Sequence, residues 1–426
     1  CCTGYRKEDY SDRSFISRMF NLGKPELILV FGGTNDSWSK APIGEYMYDG
    51  WTKSDLYSYR PALSYMLSQM KVLYPQSRIV FILNSELSDA IDASTNEIKL
   101  MANDMELGIE TRVEGEIAER GVIALDAKIF SEIVRKLPDS DVMIETDASF
   151  KTVISCEKAK FNIVGKSGDD FSYLPYIEKN DAIVISQFTL KEVIRQTIFS
   201  IADNDNNKLM TGELFEINEN ELKVVSLDGH RISIRNIELK NNYENKKVVV
   251  PGKTLQEISK IVPGGVDDDV LIYLTDNHIV FEFDTTTVVS RLIEGEYFRI
   301  DQMLSSAYET KVIVNKKELL DCIDRATLLV KEGDKKPIIM NITDGSMELK
   351  INSFIGSMNE DIDIEKEGKD ILIGFNPKFF IDALRVIDEE NVSLYMVNPK
   401  APCFIKDDEG KFIYLILPVN FNNAAN

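Results

Sequence analysis

An internal repeat with a period of 125 residues constrains the fold of this chain more than any other feature. Three segments, Lys128–Arg135, Lys253–Lys260 and Lys378–Arg385, each begin with a base, carry an acid four residues later and end on a second base. These positions share one face of a helix, so each segment predicts an amphipathic helix. In the first copy the opposite face is apolar and consists of Ile129, Phe130, Ile133, Val134 and Leu137. A period of this length exceeds that of solenoid repeats and indicates three similar domains in tandem.

A second set of landmarks recurs at nearly the same spacing. Each copy opens a predicted strand with a similar tetrapeptide: Asn96–Lys99, Asn220–Lys223 or Met347–Lys350. Upstream of the last two, Lys191–Ile194 and Lys317–Leu320 predict a further helix. The first copy is incomplete, because nothing similar to Lys-Glu-Leu-Leu stands near residues 65–68, where its upstream helix should fall. The complete copies are therefore predicted to contain two helices and a series of alternating strands.

Residues 1–92 differ from the remainder in composition. They hold 10 basic and 11 acidic residues, whereas the whole chain carries 49 basic and 70 acidic residues and a net charge of −21. Both tryptophans, Trp38 and Trp51, and eight of the sixteen tyrosines also lie in this segment. The shift predicts two segments of different origin, with the acidity in the second.

The first segment has the pattern of a βαβ unit. Glu26–Phe31 and Arg78–Leu83 are short apolar runs that predict strands, and the first runs into the turn-prone sequence Gly33–Asp36. Apolar residues recur between them at helical spacing: Leu63, Met66, Leu67, Met70 and Leu73. Strand, helix and strand in this order form the building block of a parallel sheet.

Several classes of protein and site are excluded by composition. The chain has only two histidines, His230 and His278, so a multi-histidine metal site is excluded. No apolar run approaches the roughly 18 residues that a membrane span requires. The five cysteines are too few and too scattered for a disulfide framework, which favours a cytoplasmic protein.

The second segment resembles the bacterial DNA polymerase III β subunit, the sliding clamp, over about residues 93–421. The motifs that carry the resemblance follow in order at domain spacing: Met101–Gly108, Thr211–Phe215, Ser226–Arg231, Val250–Pro251, Gly295–Tyr297, Gly374–Asn376 and Tyr414–Val419. The resemblance implies an α+β fold of tandem clamp domains, each with two helices against antiparallel sheets. We name them domain I (93–180), domain II (181–308) and domain III (309–426). Here the head of domain I is absent, and the α/β segment 1–92 replaces it.

The resemblance implies a non-catalytic processivity factor that needs no cofactor or metal. Clamps of this family are head-to-tail dimers that form a ring around double-stranded DNA, with helices inside and sheets outside. The basic helical positions are then expected to face DNA phosphates irrespective of sequence. They are Lys128, Arg135, Lys136, Lys191, Arg195, Lys253, Lys260, Lys317, Lys378 and Arg385. For any one of them, a solvated helix face is the alternative.

In the clamp family, a groove between the second and third domains binds short, partly apolar peptides of polymerases and the clamp loader. Carried over by position, this groove comprises Met210, Leu227, Gly229, His230, Arg231, Ile232, Leu274, Asn376, Phe379, Leu415, Leu417, Pro418 and Val419. A few apolar anchors and polar groups suffice for such recognition. For Leu415 and Leu417 the alternative is core packing of the last strand, and for His230 it is a structural role.

The first segment resembles part of an SGNH (GDSL-type) hydrolase. In that family a block similar to Gly33–Asp36 contributes its asparagine to the oxyanion hole, which makes Asn35 a vestigial oxyanion residue. The nucleophilic serine block is absent, and so is an Asp-x-x-His block, because Leu227 and Thr275 precede the two histidines by three residues. We therefore expect an inactive fragment joined between about residues 84 and 95, so that the chain is a chimera.

Two alternative functions remain besides that of a sliding clamp. An ester hydrolase would need the missing serine and Asp-x-x-His blocks. An acidic scaffold protein that binds peptides would never encircle DNA, and retention on circular versus linear DNA would distinguish it from a clamp.

Overall fold

The computed structural model of the chain describes residues 27–32, 65–66, 69–70, 78–83 and 97–421, apart from residues 176, 204–206, 305–306 and 331–335. The chain divides into two compact units, Cys1–Glu97 and Ile98–Asn426. Each unit has its own fold. Within the described residues, no helix is long and apolar enough to cross a membrane.

The first unit contains the predicted pair of parallel strands. Strands β1 (Leu27–Gly32) and β2 (Arg78–Leu83) pair in parallel, with Leu27 opposite Arg78. Between them Met66 and Met70 are helical and buried, as their spacing predicts. The predictions for Leu63, Leu67, Leu73 and the Gly33–Asp36 turn, including Asn35, lie outside the described residues.

The helices of the second unit fall where the repeat predicts them. They are α1 (Ala127–Val134), α2 (Gln187–Thr197), α3 (Gly252–Ile261), α4 (Lys316–Thr327) and α5 (Pro377–Val386). Most begin at a polar residue whose side chain accepts a hydrogen bond from the first turn, which satisfies a backbone N–H that has no helical partner. These caps are Asp126, Ser186, Asn315 and Asn376.

The strands of the second unit alternate with these helices in each copy. Domain I has β3 (Glu97–Asn103), β4 (Leu107–Glu114), β5 (Ile123–Ala124), β6 (Met143–Thr146), β7 (Lys151–Cys156), β8 (Ala159–Val164) and β9 (Lys166–Ser167). Domain II has β10 (Ile183–Ser186), β11 (Gly212–Leu227), β12 (Arg231–Pro251), β13 (Asp269–Leu274), β14 (His278–Phe283) and β15 (Thr286–Arg291). Domain III has β16 (Thr310–Asn315), β17 (Ile338–Thr343), β18 (Ser346–Asn352), β19 (Ser357–Asp363), β20 (Glu365–Gly368), β21 (Ile371–Phe375), β22 (Asn391–Met396), β23 (Cys403–Lys406) and β24 (Phe412–Ile416).

The sheets are antiparallel, and two of them continue from one domain into the next. One has the order β10-β13-β14-β15-β4-β3, and a second has the order β11-β12-β24-β23-β22-β16-β20. A third, β19-β18-β17-β21, lies within domain III, and β6-β7-β8 lies within domain I. The predicted α+β class with helices and antiparallel sheets is therefore confirmed.

Two large hydrophobic clusters fill the space between helices and sheets. One belongs to domain III and includes Leu319 and Phe380, and the other is centred on domain II and includes Leu190 and Leu255. Domain I differs, because Ile133 is the one buried residue of α1. The helix is amphipathic as predicted, but Ile129 and Val134 on its apolar face are 49% and 44% exposed.

Candidate peptide groove and DNA-facing helices

A tight turn between β11 and β12 carries the histidine and arginine that the sequence singles out. The Asp228 carboxylate accepts hydrogen bonds from the backbone N–H groups of His230 and Arg231, at 2.9 and 3.1 Å. Gly229, between Asp228 and His230, has a φ of +83°. This left-handed backbone conformation is strained for residues with a Cβ atom but not for glycine. The turn therefore holds His230 at the surface and directs Arg231 inward.

The Arg231 side chain connects domain II to helix α5 of domain III. It is 7% exposed, and its guanidinium donates to Asp228 at 3.0 Å and to Asp382 at 2.6 Å. The same group donates to the backbone carbonyl of Phe199 and lies 4.6 Å from the centre of the Phe379 ring. A planar guanidinium suits this site, because it can hold two carboxylates and stack on an aromatic ring together.

These contacts border a groove of about 400 Å³ at the junction of domains II and III. Of the predicted groove residues, His230, Arg231 and Phe379 line it, and the His230 ring stacks on Phe379 with 6.1 Å between centroids. Sequence reasoning missed other lining residues, namely Phe199, Ile201, Ala202, Asp203, Asp228 and Asp382. Asp228 and Asp382 carried a signal, since one belongs to the turn motif and the other is the acid of the third repeated helix.

Four predicted groove residues join a neighbouring apolar cluster. Leu227, Ile232 and Leu415 are buried, and Met210 packs at the edge of the same cluster. Ile232 and Leu415 are cross-strand partners in the β12–β24 pair. Leu415 is 2% exposed and packs in this cluster, in agreement with the core-packing alternative. These four residues pack in the interior next to the groove and do not line it.

The C-terminal residues do not continue the alternation of the last strand. Strand β24 ends at Ile416, so Leu417 and Val419 lie beyond it and do not share a strand face with Leu415. Leu417 is 38% exposed, and its backbone N–H donates to the His230 carbonyl at 2.9 Å. The N–H of Val419 donates to the Gly374 carbonyl at 2.8 Å. The half-buried Pro418 lies between these two contacts.

Three remaining predicted groove residues have other placements. Asn376 accepts a hydrogen bond from the Lys378 N–H and caps α5. Leu274 packs at the edge of the domain II core. Val419 lines a second cleft, of about 510 Å³, within domain III.

The candidate DNA-facing residues separate into cations that are exposed and cations that make contacts within the chain. Lys128, Arg135, Lys136, Lys317 and Lys378 are exposed, and Lys378 also lines the groove. Lys191 is half-buried, and its ammonium donates to the Val262 carbonyl at 3.1 Å. Arg195 binds Glu192 at 2.6 Å and Asp388 at 3.0 Å, which raises the pKa of its guanidinium. Both side chains thus make contacts within the chain, and the charge of Arg195 is paired with two carboxylates.

The other three cations form exposed ion pairs. Lys260 contacts Glu257 at 2.9 Å, and Arg385 contacts Asp324 at 3.4 Å. Lys253 binds the Asp104 carboxylate, and this contact lowers the pKa of Asp104 to about 2 and raises that of Lys253. Exposed pairs of this kind are worth at most about 1 kcal/mol, so these side chains can exchange partners readily.

Comparison with known proteins identifies the family. Models of the DNA polymerase III beta subunit match in order, with the N-terminal domain at residues 84–175, the central domain at 184–298 and the C-terminal domain at 301–420. The beta sliding clamp of Staphylococcus aureus (strain Mu50 / ATCC 700699) is 34% identical over 340 residues, which cover 77% of this chain and 90% of that protein. The chain belongs to the DNA polymerase III beta subunit family.

Solved clamp structures agree with this assignment. A putative beta subunit from Eubacterium rectale ATCC 33656 shares 86% identity with a TM-score of 0.73, over 77% of this chain and 90% of the other. The sliding clamp of Bacillus subtilis shares 32% identity with a TM-score of 0.71, over 78% of this chain and 90% of the other. A GDSL-like lipase/acylhydrolase model matches residues 1–111. Both predicted resemblances are thereby confirmed. The two kinds of match overlap at residues 84–111.

Proposed function

We propose that this chain, which as a family member is a DNA polymerase processivity factor, works by closing head to tail with a second copy into a ring around duplex DNA. It would tether polymerase and clamp-loader peptides in its groove and catalyse no reaction itself. The domain boundaries at residues 93, 181 and 309 are part of this proposal. So is a place in the cytoplasm, where bacterial replication occurs.

The single observation that carries the ring is the way in which the sheets join adjacent domains. Strand β4 of domain I pairs antiparallel with β15 of domain II. The first part of β12, in domain II, pairs antiparallel with β24 of domain III. In both junctions, one partner is the second strand of a hairpin, either β3–β4 or β11–β12. The other partner is the last of three consecutive strands of the following domain, either β13–β15 or β22–β24.

The repeat assigns the same roles to one further pair of strands. By position, β19 of domain III corresponds to β4, and β8 of domain I corresponds to β15 and β24. Both are edge strands within the described residues, since β19 pairs with β18 and β8 pairs with β7. Phe161 and Val164 on β8 are 38% and 80% exposed. Edge strands with exposed apolar residues are templates for pairing, and a head-to-tail contact between copies would cover both.

Ring closure can be tested by sedimentation equilibrium. We expect reversible dimers at micromolar concentration, and mainly monomer at nanomolar concentration because the family's head is missing from domain I. Phe161→Asp with Val164→Asp should abolish the dimer, whereas Val266→Asp, at an exposed loop position of domain II, should not. A dimer that persists at nanomolar concentration contradicts the expected weakening. A dimer that is indifferent to the β8 substitutions contradicts the pairing itself.

DNA retention should depend on the repeated basic positions. Lys128, Lys253 and Lys378 are exposed and equivalent in the three copies, so we propose that they face the DNA. Changing all three to Glu should weaken loader-dependent retention on nicked circles equally for all DNA sequences, and lower the salt slope by about 1 per lost contact. The matched control reverses three lysines that lie outside the helices, Lys240, Lys350 and Lys369, for the same change in net charge.

Two outcomes of that measurement would contradict the proposal. Equal loss in both triple variants would show that net charge alone matters. Equal retention of the unmodified chain on linear and circular DNA would favour the peptide-binding scaffold, because a ring slides off a free end.

Peptide binding should require the residues that follow β24. We propose that a short peptide with Gln followed by Leu and Phe anchors binds between the Phe199 and Phe379 rings. Ending the chain after Ile416 removes the backbone hydrogen bond from Leu417 to His230 and the one from Val419 to Gly374. Binding of a labelled peptide should then be abolished, while the two domains stay largely folded.

The matched control ends the chain after Phe421, which removes only the last five residues and keeps both hydrogen bonds. Its affinity for the peptide should equal that of the full chain. Equal affinity of the shorter truncation would show that the C-terminal residues do not form the groove.

A further inference from the structure

Two hairpins of the repeat, β3–β4 and β11–β12, turn at an aspartate in the same way. The Asp104 carboxylate accepts hydrogen bonds from the N–H groups of Glu106 and Leu107, at 3.1 and 2.8 Å. Asp228 accepts from the residues at the same two positions of its own turn, the second of which is Arg231. In both turns the aspartate N–H donates to the carbonyl three residues later. The two turns therefore share a backbone and differ in the cation that each carboxylate binds.

This difference comes from the residue three positions after the aspartate. In the second turn it is Arg231, whose guanidinium donates to the turn's own aspartate at 3.0 Å. Lys378 of α5 lies beside this turn in the groove, and it forms no ion pair within the described residues. In the first turn the equivalent residue is Leu107, which has no polar side chain. The remaining oxygen of Asp104 binds the ammonium of Lys253 instead, the lysine that stands one repeat period before Lys378.

Backbone and buried hydroxyl contacts fix the position of the first turn relative to α3. The hydroxyl groups of Thr254 and Ser290, both 1% exposed, hydrogen-bond to each other at 2.7 Å and connect α3 to β15. Ser290 pairs in register with Leu107 at the end of the turn. The Arg291 N–H donates to the Glu106 carbonyl at 2.9 Å. The fold itself therefore brings the aspartate of the turn to the second residue of α3.

Asp104 loses little freedom when it binds Lys253. Exposed ion pairs ordinarily cost side-chain entropy on both sides, but the turn already holds this carboxylate through two backbone N–H groups. The contact lowers the pKa of Asp104 to about 2 and raises that of Lys253, and Glu106 and Glu257 add to the negative potential at the ammonium. The two side chains are still 64% and 44% exposed, so an anion from solution can reach the lysine.

We propose that Asp104 competes with DNA phosphates for Lys253 and so limits the DNA contact of domain II. A phosphate near α3 has to displace a carboxylate that is already in place. A phosphate near Lys128 or Lys378 meets a lysine that forms no ion pair within the described residues. A weaker contact in one domain lowers the affinity for DNA without opening the ring, which permits movement along the duplex. This inference rests on the proposed placement of the three lysines toward DNA, and it makes them unequal.

Asp104→Asn tests the competition directly, because the amide keeps an oxygen for the turn and loses the charge. Loader-dependent retention on nicked circles should rise about two- to fivefold, since the lost ion pair is worth at most about 1 kcal/mol. The salt slope should steepen by about 1, because Lys253 gains a phosphate contact. The matched control is Asp269→Asn, which breaks the exposed pair with Lys240 for the same change in net charge. It should leave the salt slope unchanged.

A double variant shows whether Asp104 acts through Lys253. Adding Lys253→Gln to the Asp104→Asn chain should cancel the gain in retention. In the otherwise unmodified chain, Lys253→Gln should lower retention less than Lys128→Gln, because the charge of Lys253 is already paired. The proposal is overturned if Asp104→Asn raises retention no more than Asp269→Asn does. It is also overturned if the gain survives Lys253→Gln.

Acetylation of lysines in the absence of DNA separates this inference from the proposed ring. Asp104→Asn should speed the modification of Lys253 about twofold or more, because the amine is released and its raised pKa falls. The modification of Lys128 should stay the same. Unchanged labelling of Lys253 would show that Asp104 does not hold this lysine, which overturns the proposal whether or not the ring forms. Faster labelling without any retention of the unmodified chain on circles would contradict the ring, and the competition with DNA would fall with it.

Discussion

Replacing Glu213 with Gln should remove most of the pH dependence of stability between about pH 4.5 and 8. Glu213 lies on β11 and is completely buried. Neither of its carboxyl oxygens accepts a hydrogen bond within the described residues, and the nearby Thr197 hydroxyl donates to the Val193 carbonyl instead. Burial raises the pKa of Glu213 from 4.5 to about 8, because desolvation disfavours the carboxylate.

The direction of the effect follows from proton binding. Between pH 4.5 and 8 the folded chain retains a proton on Glu213 that the unfolded chain has released. The free energy of unfolding therefore falls as the pH rises through this window, by up to about 1.4 kcal/mol per pH unit and roughly 4 kcal/mol in total. Glutamine is neutral at every pH, so the substituted chain should equal the original near pH 4.5 and exceed it near pH 8.

Urea unfolding of both chains across this pH range measures the difference directly. The control is Glu221→Gln, an exposed glutamate on the same strand, which should leave the slope as it is. A Glu213→Gln chain with an unchanged slope would show that the folded state ionises this carboxyl at neutral pH. Since the comparison is between chains, titration of other groups cancels.

Replacing Arg231 with Ala should lower the free energy of unfolding by about 3 kcal/mol. The substitution leaves the carboxylates of Asp228 and Asp382 without their common cation in a largely buried place. It also removes the cation from the Phe379 ring and the donor to the Phe199 carbonyl. Because these groups come from both sides of the junction, the II–III contact should weaken and the groove should lose its shape.

The control for Arg231 is Arg299→Ala. Arg299 pairs with Glu296 at 3.2 Å, but both side chains are about 80% exposed, so the loss should stay below about 1 kcal/mol. Adding Asp382→Asn to the Arg231→Ala chain should recover part of the lost stability, because it removes an unpaired charge. A loss as small as that of Arg299→Ala would mean that water enters the junction and screens the pair.

The sequence by itself determined the number, order and type of the elements that repeat. Local patterns were sufficient there, because the helices at Lys128, Lys253 and Lys378 follow from the spacing of their charged and apolar residues. The pair of strands in the first unit likewise followed from two short apolar runs. Hydrophobic periodicity and helix capping depend on residues that are close in sequence, so both can be recognised from the sequence without knowledge of the fold.

The tertiary structure decided which of the candidate residues meet. Leu415 and Leu417 look alike in sequence, yet the first is core and the second is 38% exposed, because β24 ends between them. The sequence predicts that Arg195 faces DNA, but in the structure its guanidinium donates to Asp388, which is 193 residues away in sequence. Burial and long-range pairing depend on chain segments that are remote in sequence. For the same reason, the exposure of Ile129 and Val134 on α1 could not be read from the amphipathic pattern of that helix.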